Sequence, residues 1–226
     1  MKLFIDHADT NTIRRLVNIY PIDGVTTNPS ILARAGRDPR ETLREIREII
    51  GEDGILFAQG LGATAEELAE DGRYISALCG ENTIVKLPSI PEGFKAMRML
   101  TKEGIATCGT VVYTPMQALL AAKAGASYVA PYVNRIDNMG FDGVETVKQI
   151  QDILDSYPEL ECEILAASFR NSQQVLELCA YGIGSITAAP DVIEGFVKNL
   201  AIDGAVADFD ADFRKLTGKA RMSELE

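Results

Sequence analysis

Short apolar runs recur along the chain roughly every 25 residues: 3–5, 24–27, 55–58, 83–87, 106–112, 128–133, 163–167 and 185–189. They are continuous rather than alternating, as expected of parallel strands buried on both faces. Each ends near a polar residue and is followed by a longer segment with helix chemistry.

The start and stop signals of those segments are specific. Asp38, Pro39 and Glu41 read as N-cap, N1 and N3. Thr64-Ala65-Glu66-Glu67 forms a capping box, Asn171-Ser172-Gln173-Gln174 resembles one, and Thr114-Pro115 is a cap followed by proline. Gly51, Gly104, Gly125 and Gly182 mark helix ends shortly before the next strand. In the charged stretch 40–48, Leu43 and Ile46 share one face with Ile50, so the charges read as a solvated outer surface. Eight strands alternating with helices predict a parallel sheet, and count and length favour closure into a single (β/α)₈ TIM barrel over residues 1–226. An extra C-terminal helix is expected over 203–217. Its stripe of Val206, Phe209, Phe213 and Leu216 needs a cover, either the barrel wall or a neighbouring subunit.

Composition narrows the chemistry. The formal net charge of −11 argues against nucleic acid as a partner. No apolar run is long enough to span a bilayer, and the opening Met1-Lys2-Leu3-Phe4-Ile5-Asp6 turns acidic too soon for a signal peptide. The four cysteines show neither a CxxC pair nor a secreted spacing, so reduced, buried thiols and a cytoplasmic location are expected. A single histidine, His7, and no cluster of ligands predict no metal; no Gly-rich phosphate loop supports a nucleotide. No cofactor is expected.

In a barrel of this kind function collects where the strands end. Seven of the eight strand ends carry polar side chains: Asp6; Asn28 with Thr26 and Thr27; Gln59; Lys86; Thr110; Tyr132 with Arg135; and Ser168 with Arg170. Lys86 is the sharpest of them, a lysine inside the apolar strand Thr83-Ile84-Val85-Lys86-Leu87-Pro88. An unpaired ammonium costs several kcal/mol to bury, so such a lysine is paired, neutral or functional. The plain alternative is a lysine that snorkels or pairs with Asp6. The functional one is an amine that condenses with a ketone. An ordinary lysine is only about one part in a thousand neutral near pH 7.4, and dry surroundings favour the reactive neutral form. The resulting iminium is an electron sink for cleavage of the neighbouring C–C bond. Asp6 is then a candidate base for the substrate hydroxyl, and Gln59, Thr110 and Tyr132 are candidates to hold the released water, Tyr132 moving its proton. Asn28 is a candidate to orient a hydroxyl. Each has a bland alternative as a cap, a packing residue or a satisfied neighbour. Arg135, Ser168 and Arg170 suit a phosphate, or else pair with the acidic excess.

These residues carry a family resemblance. Leu3-Phe4-Ile5-Asp6, Gly24-Val25-Thr26-Thr27-Asn28-Pro29-Ser30, Phe57-Ala58-Gln59, Val85-Lys86-Leu87-Pro88, Gly109-Thr110, the run from Tyr128 to Arg135 and Ala166-Ala167-Ser168-Phe169-Arg170 resemble the small transaldolases, in particular the fructose-6-phosphate aldolase branch. The resemblance spans essentially the whole chain. It implies a metal-free class I mechanism with Lys86 as Schiff-base residue. It also implies a site lined by Asp6, Asn28, Gln59, Thr110, Tyr132, Arg135 and Ser168. Small transaldolases tend to have glutamate and phenylalanine where this chain has Gln59 and Tyr132, so the pair resembles the aldolase branch. The implied reaction is cleavage of a ketose phosphate such as fructose 6-phosphate to dihydroxyacetone and glyceraldehyde 3-phosphate. The rivals are transfer of the dihydroxyacetone unit to another sugar phosphate, and non-catalytic sugar-phosphate binding. The resemblance further implies a ring-shaped homo-oligomer, a pentamer or decamer, with the last helix crossing to a neighbour. His7 after the strand-one aspartate and the glycine-rich Gly60-Leu61-Gly62 depart from the family pattern.

Overall fold

A computed structural model describes residues 1–225. Eight parallel strands close into a barrel in chain order: β1 (Lys2–Asp6), β2 (Gly24–Thr26), β3 (Ile55–Gln59), β4 (Thr83–Pro88), β5 (Thr107–Val112), β6 (Tyr128–Pro131), β7 (Glu163–Ala166) and β8 (Ser185–Ala188). β8 pairs with β1 through Lys2↔Ser185 to Ile5↔Ala188, which closes the ring. All eight lie within two residues of the apolar runs.

The period-2 geometry of each strand sorts its side chains into two cores. One set fills the barrel: Phe4, Phe57, Ile84, Cys108, Tyr128, Ala130 and Leu165. Phe57 stacks edge-on against both Phe4 and Tyr128, with centroids 5.2 Å apart in each pair. The alternate positions, such as Ile5, Val25, Val85 and Ile186, pack outward against the helices.

The helices form where their caps allow. α1 (Thr10–Ile19) is capped by Asp9, and α3 (Pro39–Ile50) by Asp38, with Leu43 and Ile46 buried as the stripe predicts. α4 (Ala65–Cys79) carries the full capping box of Thr64 and Glu67. α5 (Pro91–Lys102) begins so close to β4 that a Cβ on Gly93 would lie 1.8 Å from the Pro88 carbonyl oxygen. Only glycine fits there. α6 (Pro115–Lys123) is capped by Thr114, α8 (Gly143–Ser156) by Asp142 and α9 (Ser172–Tyr181) by Asn171. Three short helices, α2 (Pro29–Ala35), α7 (Val133–Asp137) and α10 (Pro190–Gly195), have no counterpart in the sequence pattern. None is long enough to display a helical period over two turns.

The chain divides into two compact units, Met1–Ile193, which holds the barrel, and a C-terminal unit from Glu194 onward. In the latter, α11 (Leu200–Thr217) starts three residues before the expected helix. It is capped by the Asn199 side chain and ends at Gly218 in the left-handed conformation. Val206, Phe209 and Leu216 are 56, 73 and 83 % exposed, and Leu200 also faces solvent. Among the described residues, no helix is long and apolar enough to cross a membrane.

Candidate active site

The inward positions at the C-terminal ends of the strands are polar, and several bond one another across the barrel. Lys86 sits in the middle of β4, in register with Gln59 on β3 and Cys108 on β5. Its side chain is almost completely shielded, at 3 % exposure. The amine reaches past β3 and donates to the main-chain carbonyl of Thr27, 3.2 Å away. Among the described residues it makes no ion pair, so the expected alternative of a Lys86–Asp6 bridge is not what the structure shows.

Asp6, the last residue of β1, is occupied differently. Its Oδ1 accepts from the Thr26 hydroxyl at 2.7 Å, and Thr26 in turn lies 2.6 Å from the hydroxyl of Thr187. Thr26 gives its one proton to the carboxylate, so Thr187 is the donor in the second bond. This chain of bonds links β1, β2 and β8 through Oδ1 of Asp6. Thr187 was missed because the eighth strand offered no polar residue at its very end. The alternation Ser185-Ile186-Thr187 was the signal that could have found it.

On the opposite side, the Thr110 hydroxyl lies 2.7 Å from that of Tyr132. Tyr132 is packed on two faces. Tyr113 meets its ring edge-on at 5.7 Å, and the Arg135 guanidinium lies over it, 4.5 Å from the centroid. The Tyr113 hydroxyl is the main influence holding the Arg135 guanidinium above its usual range; Tyr132 and Asp6 add to this and burial opposes it. Tyr113 lies beyond the end of β5 and has no sequence signal. Arg135 is carried by α7, whose first N–H groups bond to the carbonyls of Ala167 and Ser168. That ties the β6 and β7 ends together.

The remaining expected residues have definite places. Thr27 is fully buried and its hydroxyl donates to the Phe57 carbonyl, so it serves Lys86 through its own carbonyl. Asn28 caps α2, its Oδ1 accepting from the Ile31 N–H, which fixes the direction of its amide. Gln59 is half-buried at the end of β3. Ser168 is held at φ 63°, a left-handed conformation unusual for serine, just past β7. Arg170 is exposed and its main-chain N–H donates to Gln174. His7 donates its main-chain N–H to the Thr26 carbonyl. The Gly60–Gly62 loop folds back on α4: a Cβ at Gly62 would meet Glu67 at 2.7 Å, and the Leu61 N–H donates to Asp71.

The cysteines are chemically quiet. Burial pushes the Cys79 thiol up to about 11 and those of Cys108 and Cys162 to about 12, so none is a thiolate near neutrality. Among the described residues no group of His, Cys, Asp and Glu side chains is arranged to hold a metal ion.

A closed (β/α)₈ barrel with a dry lysine, a carboxylate and paired hydroxyls at its C-terminal mouth has the layout of a barrel enzyme. Residues 3–224 match the family model Transaldolase/Fructose-6-phosphate aldolase. The chain belongs to that family, whose members are class I aldolase-type enzymes. Solved structures share the fold at low identity. A protein described as native KDPGal is 14% identical, with 84% of each chain covered and a TM-score of 0.61. Thiamine phosphate pyrophosphorylase from Pyrococcus furiosus is 15% identical, covers 83% of this chain and 85% of its own, and has a TM-score of 0.57. A cube-shaped designed protein cage made by fusing symmetric oligomeric domains is 13% identical, with coverage of 96% and 78% and a TM-score of 0.63.

Proposed function

We propose that the protein is a class I aldolase that cleaves the C3–C4 bond of a ketose phosphate such as fructose 6-phosphate and catalyses the reverse addition. The observation that carries this reading is the state of Lys86, buried at 3 % exposure with, among the described residues, a carbonyl as its hydrogen-bond partner. Among the described residues no carboxylate pairs with the amine to hold it as a structural ion.

In this reading the Lys86 Nζ attacks C2 of the ketose and forms a carbinolamine, which loses water to give an iminium. Asp6, with Oδ1 anchored by Thr26, takes the proton of the C4 hydroxyl through Oδ2. The C3–C4 electron pair moves into the iminium, glyceraldehyde 3-phosphate leaves, and an enamine remains. Protonation at C3 and addition of water release dihydroxyacetone and restore the amine. The Thr110–Tyr132 pair supports the water and its protons, beside Gln59. Asn28 presents its amide to a substrate hydroxyl. Arg135, Ser168 and the exposed Arg170 receive the phosphate, supplying local positive charge in a chain of net charge −11.

The phenol of Tyr132 favours cleavage over transfer, since it can carry a proton to and from water at the iminium. The apolar stripe of α11 favours a homo-oligomer in which a neighbouring subunit covers it.

Borohydride added with dihydroxyacetone should fix the sugar on Lys86, located by mass spectrometry of peptides. Absence of the adduct, or its appearance on another lysine, defeats the assignment. Cleavage of fructose 6-phosphate without an acceptor supports the aldolase. Turnover only when erythrose 4-phosphate is supplied identifies a transferase instead.

A further inference from the structure

We propose that Gln117 is a positioning residue for the Thr110–Tyr132 pair, because its side-chain amide holds a bulge in β5 that lets both Thr110 and Tyr113 face Tyr132. The inference deepens the aldolase reading and rests on it.

The bulge is visible in the register. Gly109 pairs with Val129 and Val112 with Pro131, so β5 takes three steps while β6 takes two. Side-chain direction agrees. A Cβ at Gly109 would meet Ala121 on α6, and Val112 belongs to the helix-side core. Residues three apart on a regular strand point to opposite faces, so one residue between them is extra. That residue is Val111, at φ 60°. A β-branched side chain disfavours this left-handed conformation, and the surroundings must enforce it.

Gln117 does so. It lies in the first turn of α6, where its main-chain N–H is accepted by the Thr114 cap. Its Nε2 donates to the carbonyls of Val111 at 3.2 Å and Ser89 at 3.1 Å, and its Oε1 accepts from the Tyr113 N–H at 3.0 Å. The Ser89 N–H donates to the Thr110 carbonyl at 2.8 Å. One amide therefore ties the end of β4, three residues after Lys86, to both sides of the bulge. Thr110 stays 2.7 Å from the Tyr132 hydroxyl and Tyr113 stays on its ring. A carboxylate in place of this amide would set an oxygen against two carbonyls.

The test compares the full-length wild type with Gln117→Ala, Gln117→Glu, Val111→Gly and the double variant Gln117→Ala/Val111→Gly. The readouts are kcat and KM for fructose 6-phosphate cleavage, and the borohydride-trapped dihydroxyacetone adduct at Lys86. Both Gln117 variants should lose about 10- to 100-fold in kcat, with KM within about threefold of wild type and the adduct still formed. Val111→Gly alone should stay near wild type, because glycine accepts φ 60° without enforcement. In the double variant it should return most of the lost kcat. Full kcat in Gln117→Ala, a loss that Val111→Gly does not recover, or a loss carried by KM and the adduct overturns the proposal. A wild type that traps no adduct overturns the aldolase reading as well, whereas normal trapping with unaffected Gln117 variants overturns this inference alone.

Discussion

Two lysines enter the barrel interior from opposite ends, and their surroundings differ in every respect that matters for reactivity. Lys2 begins β1 and bonds Glu163 at 2.5 Å and the Tyr128 hydroxyl at 3.3 Å. Burial works against its charge, but Glu163 and Tyr128 outweigh that and raise its pKa above the ordinary value. Its side chain is 38% exposed. Lys86 faces the other end, is shielded from water and rests on a carbonyl. The same side chain closes the floor of the barrel in one place and, in the proposed mechanism, is offered to a ketone in the other. What separates the two roles is a carboxylate within reach. Asp6 is present at the mouth, yet it is engaged by Thr26, which Thr187 backs in turn.

Replacing each lysine by methionine tests this contrast most strongly. Lys86→Met should lower aldol activity by more than about a thousandfold and abolish the borohydride adduct. Its thermal midpoint should hold or rise, since an apolar side chain replaces a polar one in the core. Lys2→Met should leave kcat unchanged. If Lys2→Met removed activity, or if the adduct persisted in Lys86→Met, the division of roles would be wrong.

Tyr132→Phe comes next. Loss of one proton carrier should cost about 10²- to 10⁴-fold in cleavage of fructose 6-phosphate. Transfer to erythrose 4-phosphate should suffer less, so the ratio of transfer to cleavage rises; an unchanged ratio would remove Tyr132 from the proton-transfer role.

The floor of the barrel should answer through stability rather than rate. In Lys2→Met, urea denaturation should show a loss of about 1 kcal/mol, kept small by solvent at a pair roughly one-third exposed. No change would mean that the pair contributes nothing.

The gentlest effect is expected from alkali. The thiols of Cys79, Cys108 and Cys162 are raised from an ordinary 9.0 to about 11 or 12, and Tyr128 and Lys2 are also raised. Above pH 9 the unfolded chain loses these protons before the folded one, so the folded state binds more protons and stability falls as pH rises. Urea midpoints should be flat from pH 7 to 9 and decline between 9 and 12. Cys108→Ala should flatten part of that decline, and an unaltered slope would count against the buried thiol as its source.

The amino-acid sequence by itself determined the repeating units, the strands to within two residues, the Thr64/Glu67 box and the oddness of Lys86. These are local matters: an apolar run, a cap three residues from its partner, one cation among hydrophobes. Closure of the ring decided what local pattern could not. It brought Thr187 on β8 to Thr26 on β2, set Lys86 on the carbonyl of Thr27 rather than on Asp6, and placed Tyr113 against Tyr132. Such contacts join strands far apart in the chain, and the shear of a closed sheet fixes which residues share a level. The left-handed turn at Val111 belongs with them, since no preference of valine favours it and its carbonyl is bonded by Gln117 on the next helix.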